Sequence, residues 1–189
     1  MQDVSVYILA GGKSSRMGED KALKMLGGKP MLHYVLDAIQ ELMLPVYLLT
    51  NHKEHHVFHL PMIADCLADR GAAGGIDAML QHSTTTRNII LCCDMPYVDA
   101  GSVQTLLSLT RHHDITVPLN RNLPEPLFGV YCSSIKDRWR AELVKGENKL
   151  SNLFQSFDVN YVSGDDFLQH NPNLFCNFNS LEDLNQFTC

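Results

Sequence analysis

The sequence predicts an α/β domain built on a mostly parallel sheet with helices on both faces. Three observations predict it. An apolar run, Val4 to Ala10, feeds straight into a glycine-rich turn, the pattern of a buried strand whose carboxyl end faces a ligand. A second run, Val46 to Thr50, is separated from the first by a segment of helical periodicity, which makes a β-α-β unit of the parallel type. A third, Asn88 to Cys93, is apolar almost throughout and ends in Asp94-Met95-Pro96.

The elements follow in order. After the first strand and its turn, Lys29-Pro30 opens a helix, with Pro near the first position. Met31, Val35, Ile39 and Leu42 keep helical spacing, and Leu32 and Leu36 widen the stripe. Pro45 ends that unit and the strand Val46 to Thr50 follows, with Asn51 behind it. His52, His55, His56 and His59 crowd the next eight positions. Without cysteine, and with only Glu54 as a carboxylate, they read as an exposed, partly helical connector with incidental histidines rather than a metal site. Met62 to Ala64 is a short strand ending at Asp65. Gly71-Ala72-Ala73-Gly74-Gly75 then reads as a second glycine turn, with a helix from Ile76 carrying Met79 and Leu80. Its small residues imply close backbone approach, to a ligand or to a packed neighbour.

The strand Asn88 to Cys93 places Asp94 at its carboxyl end, where a carboxylate can hold Mg²⁺ together with substrate phosphates. The bland reading is that Asp94 caps the next turn. A helix with Val103, Leu106, Leu107 and Leu109 follows, then a strand over Ile115 to Pro118. Beyond residue 118 the pattern is mixed: a polar loop from Asn120 to Pro126, a strand over Leu127 to Tyr131, and helices over Lys136 to Leu143 and Leu150 to Phe157. A strand over Asp158 to Val162, an extended stretch over Phe175 to Phe178 and a last helix from Ser180 to Phe187 complete the chain. This half adds an antiparallel edge strand.

The chemistry concentrates in Leu9-Ala10-Gly11-Gly12-Lys13-Ser14-Ser15-Arg16-Met17-Gly18-Glu19-Asp20-Lys21. Glycines admit close approach, and Lys13, Arg16 and Lys21 supply point charges and a bidentate fork, a polyphosphate-binding set. It is not a P-loop, because Tyr7 occupies the required first glycine. Nor is it a dinucleotide fingerprint, because Ala10 and Lys13 stand where glycine is needed.

The spacing L-A-G-G-x-S-x-R-M-G-x-D-K resembles the signature of nucleotidyltransferases that activate small phosphorylated molecules with an NTP, and most of all the molybdenum cofactor guanylyltransferase family. Asp94-Met95-Pro96-Tyr97 is similar to its C-D-x-P segment, Pro126-Leu127-Phe128-Gly129-Val130-Tyr131 to its P-L-x-x-x-Y strand, and Asn177-Phe178-Asn179-Ser180-Leu181-Glu182-Asp183-Leu184 to its C-terminal segment. The resemblance implies a single-domain Rossmann-like nucleotidyltransferase fold over 1–189, with an NTP-binding half over 1–118 and an acceptor-binding half over 119–189. It implies that Leu9, Ala10, Gly11, Gly12, Asn51 and Asp65 surround guanine and ribose, that Arg16 and Lys21 meet the phosphates, and that Asp94 carries Mg²⁺. The implied reaction transfers GMP from GTP to molybdopterin, with CTP or another acceptor as the nearest variant and a non-catalytic nucleotide-binding module as the rival of another class. The sequence departs from the family at Gly71–Gly75, where G-P-L-A-G is usual, and at Ser180-Leu181, where T-P is common.

Composition agrees. At 189 residues and 45% hydrophobic content, the chain can bury a full core. A formal net charge of −6 speaks against nucleic acid as a partner. An anionic ligand then needs a local positive pocket, and Lys13, Arg16, Lys21, Lys24 and Lys29 supply one within the first thirty residues. No apolar run reaches membrane-spanning length. The acidic start Met1-Gln2-Asp3 is unlike a signal peptide, so a cytoplasmic monomer is expected. Proteins that deliver molybdopterin or mature molybdoenzymes are the expected partners. The six cysteines form no C-x-x-C, and Cys92 and Cys93 read as small hydrophobes.

Overall fold

The computed structural model describes residues 3–11, 20–67 and 69–178. Strand β1 (Val4–Leu9) is buried throughout. A short hairpin, β2 (Met25–Leu26) and β3 (Lys29–Pro30), precedes helix α1 (Met31–Ile39). Gly27 and Gly28 close that hairpin at φ +55° and +85°, the left-handed backbone that a two-residue loop demands. Strand β4 (Val46–Leu49), a 3₁₀ turn over Lys53–Phe58, β5 (Met62–Ile63), helix α2 (Gly71–His82) and β6 (Arg87–Cys92) follow. Helix α3 (Ala100–Leu109) leads into β7 (Ile115–Asn120), β8 (Leu123–Pro124) and β9 (Gly129–Cys132). Helices α4 (Lys136–Val144) and α5 (Leu150–Leu153), strand β10 (Val159–Ser163) and α6 (Asp165–Leu168) complete the described chain.

Seven strands pair in the order β10-β7-β9-β6-β1-β4-β5, and β8 adds to β7. Six of them run the same way: β1 is parallel to β4 and β6, β4 to β5, and β10 to β7. The antiparallel pairing expected in the second half appears twice. β8 pairs antiparallel with β7 as a short outer strand. β9 runs antiparallel between β6 and β7, inside the sheet rather than at its edge. Its two-sided burial explains why Phe128, Val130 and Tyr131 are all closed to solvent.

The period-2 alternation of strands divides the core into two layers. Val6, Ile8, Leu48, Ile89, Leu91 and Val130 face α1 and α3, against Leu32, Val35, Val103 and Leu106. Tyr7, Leu9, Leu49, Ile90, Ile115 and Tyr131 face α2 and α4, against Ile76, Met79, Trp139 and Leu143. The chain leaves β1 for β4 and β5 on one side, then returns through α2 to β6 on the other. The sheet therefore reverses its winding between β1 and β6, and a crevice at their carboxyl ends is where such folds bind ligands.

Three expectations need correction. The segment Gly71–Gly75 is not a turn preceding a helix; it is the first part of α2, and only Gly71 has a positive φ, +53°. A Cβ on Gly75 would meet Leu9 Cδ1 at 2.5 Å, so its small size serves the packing of α2 against β1. Phe175 to Phe178 forms no strand; Leu174, Phe175 and Phe178 instead bury against the core beyond a turn. Lys29-Pro30 does not open the helix: it pairs with Met25-Leu26 as the second strand of a hairpin, and α1 starts at Met31. The expected helix Ser180 to Phe187 lies outside the described residues.

Candidate active site

The carboxyl ends of β1, β4, β5 and β6 converge. Ala10 N–H donates to Leu49 O at 3.0 Å and Cys93 N–H to Leu9 O at 3.1 Å, so the backbone after β1 is held from both sides. Thr50 N–H donates to Ile63 O at 2.9 Å, which extends the β4–β5 pairing to the residue before Asn51. The Asn51 side-chain oxygen then accepts from Asp65 N–H at 3.1 Å. Asn51 and Asp65, fourteen positions apart, thus share one corner of the site, beside Leu9, Ala10 and Gly11. Burial raises the Asp65 carboxyl above the usual carboxylate range, and the nearby Asp77 charge adds to this.

Across the crevice, Lys21 Nζ donates to Asp94 Oδ2 at 3.0 Å. Their side chains are 22% and 14% exposed, open enough to meet a ligand and closed enough for the charges to be felt strongly. Asp94 sits just beyond β6 because Met95 N–H bonds Cys92 O and Phe178 N–H bonds Asp94 O, which folds the C-terminal stretch against the motif. Gly12 and Arg16 lie outside the described residues, as does most of the glycine loop.

The MobA-like NTP transferase domain model matches residues 6–161, most of the chain and all four strand ends of this crevice. The chain belongs to the MobA-like NTP transferase family. It is 31% identical over 187 residues to the "Probable molybdenum cofactor guanylyltransferase" of Flavobacterium johnsoniae, covering 98% of this chain and 96% of that one. It is 30% identical over 188 residues to the molybdenum cofactor guanylyltransferase of Vibrio atlanticus, covering 97% and 94%. Its fold is that of a molybdopterin-guanine dinucleotide biosynthesis protein A from Archaeoglobus fulgidus, with a TM-score of 0.83 at 23% identity over 96% of this chain and 95% of that one.

A divalent ion suits an NTP transferase, and the donor set can be tested for it. Among the described residues no group of three His, Cys, Asp or Glu side chains is placed to hold a metal. Mg²⁺, however, is commonly held by one or two carboxylates, with water and substrate phosphate completing its shell. Asp94 offers one such hard oxygen donor at the mouth of the crevice. Glu125 stands near it: burial lifts the Glu125 carboxyl above its ordinary value, a hydrogen bond from Asn120 at 2.9 Å opposes this, and the Asp94 charge lifts it further. The chemistry of Asp94, a single hard oxygen donor at a strand end, fits a cation whose shell is otherwise filled by water and phosphate.

Glu125 drew no attention in the sequence beyond its place in a polar loop before Pro126. The histidine connector also holds a surprise. His52, His56 and His59 are exposed, as expected, but His55 is fully buried. Its ring bonds Asp20 and Thr50, at 2.9 and 2.7 Å. One residue in this run was therefore not incidental. Its signal was the apolar Phe58 three positions on, which shares its face. No helix among the described residues is long and apolar enough to cross a membrane.

Proposed function

We propose that this chain transfers GMP from GTP to the phosphate of molybdopterin, forming the molybdopterin guanine dinucleotide cofactor and releasing pyrophosphate. The observation that carries the proposal is the Lys21–Asp94 pair at the β1–β6 crevice, in a member of the MobA-like NTP transferase family. One phosphate oxygen of molybdopterin forms a bond to the α-phosphorus of GTP, and the bond from that phosphorus to the bridging oxygen breaks. The acceptor oxygen is already anionic, so the step needs positioning and charge neutralisation rather than a strong general base.

The residues divide that work. Leu9, Ala10 and Gly11 give the nucleoside a backbone wall, and Asn51 with Asp65 offers it hydrogen-bonding groups. Lys21, joined by Arg16, neutralises phosphate charge that builds as pyrophosphate departs. Asp94 would hold Mg²⁺, which supplies further neutralisation of the triphosphate when bound. The acceptor then approaches from the side of residues 119–189, since β9, Glu125 and the stretch ending at Phe178 border the same crevice.

The test is pyrophosphate release from purified protein with molybdopterin, Mg²⁺ and each of GTP, CTP, ATP and UTP in turn. GTP-dependent release that stops on omission of molybdopterin supports the proposal. A preference for CTP would make the chain a cytidylyltransferase, a live comparison because Gly71–Gly75 departs from the family pattern. Nucleotide binding without turnover would leave it a nucleotide-binding module.

A further inference from the structure

Beside the Lys21–Asp94 pair runs a chain of polar contacts that the proposed chemistry does not use. It begins at the carboxyl end of β4. Thr50 Oγ1 accepts from His52 N–H at 3.0 Å, a local turn of the kind threonine hydroxyls make. The same oxygen lies 2.7 Å from His55 Nδ1, and His55 Nε2 lies 2.9 Å from Asp20 Oδ2. Asp20 Oδ1 accepts from Ala22 N–H at 2.9 Å. A neutral imidazole has one donor and one acceptor nitrogen. With a carboxylate at Nε2, that nitrogen carries the proton, and Nδ1 accepts from the Thr50 hydroxyl. Every proton in the chain then points one way, from β4 toward Asp20.

Asp20 is the residue before Lys21. On the other side of Lys21 the backbone is pinned to the start of α1, with Leu32 N–H on Ala22 O at 3.2 Å and Met31 N–H on Lys24 O at 2.8 Å. Upstream of Asp20 the sequence is the glycine-rich stretch, most of which lies outside the described residues. Among the described residues, the side chain that grips Asp20 on that flank is His55, which is 0% exposed and is itself placed by Thr50 and by the ring of Phe58, 5.9 Å away. A polar network that is fully satisfied and buried holds its members in one geometry.

We infer that His55 is a positioning residue for nucleotidyl transfer: through Asp20 it fixes the backbone that carries Lys21, and so keeps the ammonium at Asp94 and on the substrate phosphates. It touches no substrate itself. The inference rests on the proposed GMP transfer. Loss of the anchor leaves GTP able to bind but lets Lys21 wander by a fraction of an ångström to an ångström, a displacement that costs about 10²-fold in rate.

The experiment compares wild type, His55→Leu and His55→Gln. Wild type is assayed first, because absence of pyrophosphate release there overturns the functional proposal and not the anchor. With an active wild type, His55→Leu lowers kcat by about 30- to 100-fold while KM for GTP moves by less than about threefold. His55→Gln, whose amide still donates to Asp20, restores kcat to within about fivefold of wild type. Unchanged kcat in His55→Leu overturns the inference, as does equal loss in both variants, which would mark a merely structural histidine. Independent of activity, ¹H–¹⁵N correlation of the imidazole should show a proton on His55 Nε2, facing Asp20. The ¹³Cε shift of Lys21 should change in His55→Leu and return toward wild type in His55→Gln. An identical Lys21 shift in all three proteins overturns the anchor whatever the enzyme does.

Discussion

Arg140→Leu tests how the site's α2 wall is held in place. Asp77 lies on α2 with no exposed surface, and Arg140 on α4 grips it through two hydrogen bonds, one of them Nε to Oδ1 at 3.1 Å. The neighbouring Trp139 donates its indole N–H to Ala73 O at 3.1 Å, so the same helix also clamps the first turn of α2. Removing one partner of a buried ion pair costs about 3–5 kcal/mol, because the remaining charge is stranded. The Arg140 side chain is 37% exposed, so water can follow it out and solvate part of Asp77. The lower end, about 3 kcal/mol, is therefore expected. For a chain of this size that corresponds to a fall in Tm of about 6–12 °C. Urea unfolding gives the free energy directly, and the slope should stay unchanged. Adding Asp77→Asn to Arg140→Leu removes the stranded charge and should recover at least about 1 kcal/mol. Pyrophosphate release, read at temperatures well below the transition, reports separately on the site, because the Asp77 charge acts on Asp65. A loss under about 1 kcal/mol in the single variant, or no recovery in the double, would refute the reasoning.

Other perturbations separate the catalytic from the structural. Lys21→Ala should lower turnover by about 10²–10³-fold, as loss of one preorganised cationic donor does, while unfolding free energy moves by less than about 1 kcal/mol because the pair is partly solvated; near-normal turnover would sink its assigned role. Asp65→Asn should narrow the ratio of kcat/KM for GTP over CTP by about 10-fold or more, since hydrogen bonds to a charged acceptor are the strong ones; an unchanged ratio places nucleoside recognition elsewhere. Gly164→Ala would set a Cβ 2.1 Å from the Leu119 carbonyl oxygen, and the backbone shift needed at the β7–β10 junction should cost about 3 kcal/mol by chemical denaturation. Burial raises the Tyr131 phenol above the ordinary tyrosine range, and its hydroxyl donates to Pro126 O at 2.8 Å. The unfolded chain therefore ionises this group first, near pH 10, and its contribution is present below that pH and lost above it. The stability gap between wild type and Tyr131→Phe should accordingly shrink between about pH 9.5 and 11, and a gap that widens there would contradict the sign.

Much of this molecule was legible because strand burial and strand order share one cause. Val4–Leu9 and Ile89–Leu91 are buried on both faces, so they read as almost continuous apolar runs, and a parallel sheet follows. Helix α1 was legible from its one-sided stripe. The placement of β9 was not, because antiparallel insertion between β6 and β7 depends on tertiary pairing that leaves no local mark. Glycines 71–75 misled for a related reason: the residue that suits a turn also suits a helix pressed against Leu9, and only the neighbour tells them apart. In the site, Lys21 and Asp94 came from motif spacing and meet as expected. His55 did not, since a histidine among three exposed histidines shows its burial only once Asp20 and Thr50 are brought beside it.

The packing of α2 also bears on which base the chain prefers. Gly75 lets α2 lie directly on Leu9, so a larger residue there would displace Leu9, itself part of the expected nucleoside wall. Gly71–Gly75 carry no polar side chain, and as the first turn of α2 they offer backbone N–H donors only. On the proposed function, discrimination by side chains falls to Asn51 and Asp65. The Asn51 oxygen is engaged by Asp65 N–H, which leaves its amide nitrogen as the group that can donate, while the Asp65 carboxylate accepts. A donor beside an acceptor complements guanine, which presents O6 next to N1–H and the 2-amino group. Cytosine offers acceptors at O2 and N3 and a single amino donor, so it would leave part of a half-buried carboxylate unpaired, and leaving such a group unpaired costs more than a missing contact gains. Guanine preference is thus expected to survive the altered glycine segment, because the groups that would enforce it belong to β4 and β5 and not to α2.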